Sequence, residues 1–272
     1  TIGFKGRMGL GYGIATAGHG TPTLYAVDRG VDAASPYAYL YSPATDDAGR
    51  IAVKVSTSDY DHNEIRLFSA DGSSTRIAAD AATDPASPFA AFDNGLALND
   101  RGAIAVALRL VAGNVRALYR FAPDGAGGVA ATEIARVDAG GTIRDIESFA
   151  PALADDGFVV FRAKDANGQA IYAGDGATLL RIVGKGDVVD TDRGRAQIGQ
   201  HVDDPSAWPI FSGAPAVNAH GDVAFVAALY PEGDPQTEWG TGVFVAYAER
   251  APDDTIFEDG FESAATAPTG RD

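Results

Sequence analysis

The sequence predicts an all-β fold, a small β-propeller of four or five four-stranded blades. Three observations carry that expectation. One pattern recurs four times, anchored on Gly49, Gly102, Gly157 and Gly221. The copies follow one another at a period near 50, which belongs to propeller blades rather than to shorter solenoid repeats. Each copy breaks into short apolar runs bounded by turn residues, and no stretch of useful length carries the helical period.

The elements follow in chain order. Pro43-Ala-Thr, Leu96-Ala-Leu, Pro151-Ala-Leu and Pro215-Ala-Val are short first strands. A four-residue turn follows, opening on Asp46, Asn99, Ala154 or Asn218 and closing on the anchoring glycine. Asp or Asn there bonds the local backbone and Gly accepts positive φ; Ala154 lacks the side-chain bond, so its turn leans on Gly157. Second strands run Ile51 to Val55, Ile104 to Leu108, Val159 to Ala163 and Val223 to Ala227, with Ala recurring where blades pack closely. Third strands are Ile65 to Phe68, Ala117 to Phe121, Ala170 to Ala173 and Val243 to Ala246. Asp-Gly turns at 71–72, 124–125 and 175–176 lead to fourth strands at Thr75 to Ala78, Glu133 to Arg136 and Leu179 to Ile182. The last copy has no fourth strand.

Composition bounds function. With 37 acidic and 21 basic residues the net charge is −16, which disfavours nucleic acid and anionic membranes. No cysteine is present, excluding disulfides, zinc-thiolate sites and cysteine nucleophiles. No run of 18 apolar residues spans a membrane. Scarce lysine, abundant Asp, Gly and Ala, and a start at Thr1 rather than Met read as an exported product whose leader has been removed, extracellular or at the cell surface.

The Asn-x-x-Gly-x-x-Ala-Phe core, clearest at Asn218-Ala-His-Gly-Asp-Val-Ala-Phe225, resembles the tandem-repeat family of bacterial exported proteins known by that motif. The resemblance covers roughly residues 39–247. The other copies depart at Asp46, Val53, Val106, Ala154 and Val160. Thr255-Ile-Phe-Glu-Asp-Gly-Phe-Glu262 resembles a C-terminal Ile-Phe-x-Asp-Gly-Phe-Glu signature of exported proteins. Together they imply export and a propeller-like fold, and they supply no catalytic residue.

Hydrolase, metalloprotease and P-loop motifs are absent. Gly9-Leu-Gly-Tyr-Gly13 lacks the strand–turn–helix context of a nucleotide loop and reads as a flexible or edge-strand segment. Asp59, Asp61, Asn63 and Glu64 alternate oxygen ligands as a calcium loop does, but the sixth and twelfth EF-hand positions fail. The plainer reading is a polar hairpin loop, and no other cofactor is expected. Long insertions around the last copy hold Trp208, Trp239, Tyr230 and His201, which suit a glycan ring or a protein hot spot. Against that stands the reading that both Trp cover the last blade's open edge.

Three segments result: residues 1–38 supply a closing or donated strand, 39–250 form the repeats, and 251–272 form a tail. Residues 23–28 are expected to pair with Val243–Tyr247, within one chain to close the ring or between chains as donor-strand addition. The function expected is a non-enzymatic, secreted structural or interaction protein that self-assembles through its N-terminal strand into an oligomer or filament. Alternatives are a carbohydrate-binding module at Trp208 and Trp239, or a hydrolase with a carboxylate pair at the propeller mouth.

Overall fold

The structure, a computed structural model, describes residues 1–18, 22–200 and 209–248. They form five antiparallel sheets and a 3-10 turn at Ala112–Asn114. The fold is a β-propeller, with five blades among the described residues.

Blade 1 holds β1 (Ile2–Met8), β2 (Gly11–Ala17) and β3 (Thr23–Val27). Blade 2 holds β4 (Tyr39–Leu40) and β5 (Ala44–Thr45), which share one edge of β6 (Ile51–Ser56), then β7 (Asn63–Phe68) and β8 (Ser74–Ala79). Blade 3 is β9 (Phe89–Leu98), β10 (Ile104–Leu110), β11 (Arg116–Pro123) and β12 (Val129–Arg136). In blade 4, β13 (Asp145–Ile146) and β14 (Ala152–Leu153) precede β15 (Val159–Lys164), β16 (Gln169–Gly174) and β17 (Leu179–Gly184). Blade 5 opens with a hairpin of β18 (Val188–Thr191) and β19 (Gly194–Ile198), followed by β20 (Phe211–Val217), β21 (Val223–Pro231) and β22 (Gly240–Ala246).

The predicted repeat turns form as expected. Gly49, Gly102, Gly157 and Gly221 all take positive φ, between 78° and 99°. Each donates its N–H to the carbonyl of the first turn residue. The side chains of Asp46, Asn99 and Asn218 accept the N–H four residues on. Ala154 has no such group, and Asp156 Oδ1 takes the Phe158 N–H at 3.0 Å in its place.

A recurring irregularity fixes the correspondence between blades. The pairing of third and fourth strands slips by one residue at Ile65/Arg66, Leu118/Tyr119 and Ile171/Tyr172, and the same slip occurs at Ile14/Ala15. β2 and β3 are therefore the third and fourth strands of their blade, and β1 is its second. Among the described residues, blade 1 lacks an innermost strand and blade 5 lacks an outermost one.

This corrects the reading of the N-terminus. The start of the segment expected to supply a closing or donated strand builds β1 and β2. Its glycines have a steric reason: a Cβ at Gly11 would run into the backbone of Gly30. Within the chain, residues 23–27 pair with β2 and not with Val243–Tyr247.

Four apolar cores lie between successive blades. Side chains alternate across each strand. Second-strand residues such as Ile51, Ile104, Val159 and Val223 point to the preceding blade. Ala52, Ala105 and Val160, with Ile65, Leu118 and Ile171 on the third strands, point to the following one.

Candidate functional site

The four proposed calcium ligands do not converge. Asp59 and Asp61 sit in the loop before β7, but Asn63 and Glu64 begin that strand and so face opposite ways. Asn63 accepts from Ser56 Oγ at 2.9 Å and donates to Asp80 at 3.0 Å. Glu64 pairs with Arg66 at 2.6 Å and Arg76 at 3.6 Å. Asp59 bonds the His62 ring at 2.7 Å, which holds the carboxyl below its ordinary range and lifts the imidazole above its own. Among the described residues no group of three His, Asp or Glu side chains could hold a metal ion.

The propeller mouth is also structurally committed. Asp100 Oδ1 accepts the Asp47 N–H at 2.7 Å, and Asp155 Oδ1 accepts the Asp100 N–H at 3.1 Å. The first two repeat turns are thus each capped by the next, and Asn99 Nδ2 adds a bond to the Ala154 carbonyl. The series stops at the last copy, where Ala219 replaces the aspartate. A cavity of about 220 Å³ opens beside Asp155 and Ala219. The mouth carboxylates act as backbone acceptors, a role that organises turns.

Buried cations join the blades. Lys54 donates to the Phe92 carbonyl at 2.9 Å and to Asn94 at 3.1 Å in the next blade. Burial pushes its ammonium below the usual lysine range, against the pull of Asp93 and Asp80. Arg162 holds the same strand position in blade 4, pairs with Glu147 at 2.6 Å, and donates to the Gly213 carbonyl of blade 5 at 2.7 Å. Lys5 is their counterpart in blade 1, with its ammonium 3.8 Å from the Tyr39 ring centroid of blade 2.

Blade 5 presents the open features. Its third strand, β22, pairs with β21 and with no other described strand, whereas β7, β11 and β16 are each paired on both edges. A groove of about 370 Å³ lies along β22, lined by Asp190, Asp192, Arg193 and Trp239. The Arg193 guanidinium stands 5.2 Å from the Trp239 ring centroid. At the strand's far end a crevice of about 790 Å³ separates blades 4 and 5, apolar at Phe158, Leu180 and Ala246 and polar at His220.

The sequence-selected aromatics divide accordingly. Trp239 is partly buried against the core shared by blades 4 and 5 and lines the groove. Tyr230 lies on the other side of β21 from Leu229 and is absent from the groove lining. Trp208 and His201 lie outside the described residues. Arg193 and the crevice were not legible in the sequence, because nothing local marks a gap between two blades.

The family of unknown function DUF7453 matches residues 7–244 of the chain. The chain belongs to that family. No curated protein matches it. Among solved structures it is similar to a gluconolactonase from Xanthomonas campestris, at 14% identity and a TM-score of 0.36, covering 77% of this chain and 62% of that one. The Dos1 propeller is 9% identical with a TM-score of 0.36, covering 89% and 54%. A luciferin-regenerating enzyme is 11% identical with a TM-score of 0.37, covering 86% and 69%. The chain thus spans less than two thirds of the length of the first two. At these identities they assign no role to any residue of this family member.

Proposed function

We propose that the protein is a non-enzymatic, secreted or cell-surface propeller whose last blade accepts an extended strand from a protein partner. The edge of β22 that no described strand covers carries this reading. In blades 2 to 4 the corresponding edge is occupied by β8, β12 or β17. An edge strand presents unpaired N–H and C=O groups, and strand addition satisfies them in one step. The groove at Trp239 and the crevice at Ala246 lie at the two ends of the vacant position. The acidic, cysteine-free composition and the likeness of the repeat turns to an exported family support a location outside the cell.

A peptide of residues 178–185 is the nearest chemical stand-in for the missing strand, because β17 fills that place in blade 4. Added in trans, it is expected to bind saturably, raise Tm and slow amide exchange at Gly240–Ala246, while a scrambled peptide does none of these. Absence of binding at millimolar peptide overturns the reading.

The Arg193–Trp239 pair favours a second reading, a carbohydrate site in the same groove, since aromatic faces stack on sugar rings beside polar groups. Glycan-array binding that survives Trp239→Ala removes it.

A further inference from the structure

The four internal blade interfaces define two complementary faces, and among the described residues each also occurs once without a partner. The following-facing surface of a blade is built from second-strand residues such as Ala52 and Ala105 and third-strand residues such as Ile65, Leu118 and Ile171, all buried. In blade 5 the same positions carry Ala224, Val226, Val243 and Val245, by the pairs Ala224↔Val245 and Val226↔Val243. Here Val243 is 78% exposed and Val245 46%.

The preceding-facing surface is built from the alternate second-strand residues. Ile51 and Val53 in blade 2, and Ile104 and Val106 in blade 3, are fully buried. Blade 1 carries Ile2 and Phe4 at these places, 71% and 38% exposed. Met8 and Leu24 flank them on the same face, over Gly11 and Ala15, and both are exposed. Among the described residues both faces are open to solvent.

We propose that the chain assembles head to tail with a second copy of itself, the blade 5 face of one molecule packing on the blade 1 face of the next. The argument is continuity with an interface that the molecule already makes four times. Apolar rows occupy both sides at the positions that pack together between blades 2 and 3, and no charged side chain from β21 or β22 stands on the blade 5 face to be desolvated. A contact between two different faces leaves one of each free, so it propagates, giving a ring if the rotation closes and a filament if it does not. This surface is distinct from the β22 edge, which takes a strand in the plane of the sheet.

The experiment uses the full chain and sedimentation or light scattering over a range of concentrations. Wild type is expected to rise above the mass of a single chain, in steps of one chain mass. Phe4→Glu and Val243→Glu are each expected to stay at one chain mass. Mixed, they are expected to give a two-chain species and nothing larger, because each supplies the face the other has lost. Thermal melts report that the variants are folded, and Ile2→Glu with Val245→Glu repeats the test at independent positions. Wild type that stays monomeric throughout, single variants that assemble like wild type, or a mixture that fails to pair would each overturn the proposal. Strand-peptide binding by Phe4→Glu separates the two readings, since it needs β22 and not blade 1.

Discussion

The interface between blades 3 and 4 and the outward face of blade 5 are built from equivalent positions, yet one is core and the other is surface. Leu118 and Val243 occupy the same third-strand place. Leu118 is 1% exposed within a cluster that includes Ala107, Ile134 and Phe161, whereas Val243 faces water. Apolar character in a repeat therefore reports the position a residue holds in its blade. Whether that position contributes to stability depends on a neighbour supplied elsewhere. At the second-strand position opposite these residues, Lys54 and Arg162 find carbonyl acceptors in the following blade, while Ala107 in blade 3 and Val226 in blade 5 carry no charge.

The comparison breaks most directly at that pair of sites. Leu118→Ala is expected to lower unfolding stability by about 2–5 kcal/mol, because truncation leaves a cavity in close-packed surroundings. Val243→Ala in the monomer is expected to change it by less than about 0.5 kcal/mol, as for exposed sites generally. Urea titrations of both variants below the assembly range check this, and equal losses would show that the blade 5 face is covered in solution.

A smaller effect sharpens the comparison at the turns. Asn99 both closes its own turn through the Ala103 N–H and reaches the Ala154 carbonyl of the next blade, while Asn218, among the described residues, bonds within its own turn. Asn99→Ala is expected to cost about 1–3 kcal/mol, the range for stranding a buried hydrogen-bonding group. Asn218→Ala should cost less, and the reverse order in chemical denaturation would deny the turn-to-turn link.

The smallest effect lies at the solvent-facing Asp59–His62 pair, whose side chains are 60% and 40% exposed. The His62 midpoint is raised, so its contribution is complete below the unfolded-state value and disappears as pH rises through the folded midpoint. Asp59, whose midpoint is lowered, contributes above its unfolded-state value and loses that contribution as pH falls through the folded one. NMR titration of His62 should give a midpoint above the ordinary histidine value, moved back by Asp59→Asn. A midpoint unchanged by that substitution would show the pair does not form in solution.

Much of the fold was legible because turn chemistry is local. A glycine at positive φ closing a short turn announces a hairpin whatever surrounds it, and four such turns at a near-50 period announce blades. Blade 1 escaped notice because Gly3, Gly6, Gly11 and Gly13 dilute its apolar alternation, although Ile2-Gly-Phe-Lys repeats the places of Ile51-Ala-Val-Lys. The β18–β19 hairpin read as a long insertion because Asp190, Thr191, Arg195 and Gln197 interrupt its few apolar residues. At Asp59–Glu64, alternation in sequence suits a wrapped loop, whereas the strand starting at Asn63 turns adjacent side chains apart.

By itself the sequence determined the strand order within blades 2 to 4, the repeat turns and the absence of cysteine chemistry, and it marked the last copy as ending on its third strand, as it does among the described residues. These follow from short-range rules of backbone conformation and side-chain periodicity. Only the tertiary structure decided that residues 23–27 pair inside blade 1, that mouth aspartates cap one another's turns, and which apolar faces stay uncovered. Those outcomes depend on contacts between residues far apart in the chain, as in the Asp100–Asp155 bond across 55 residues, and no local pattern encodes whether such a neighbour arrives.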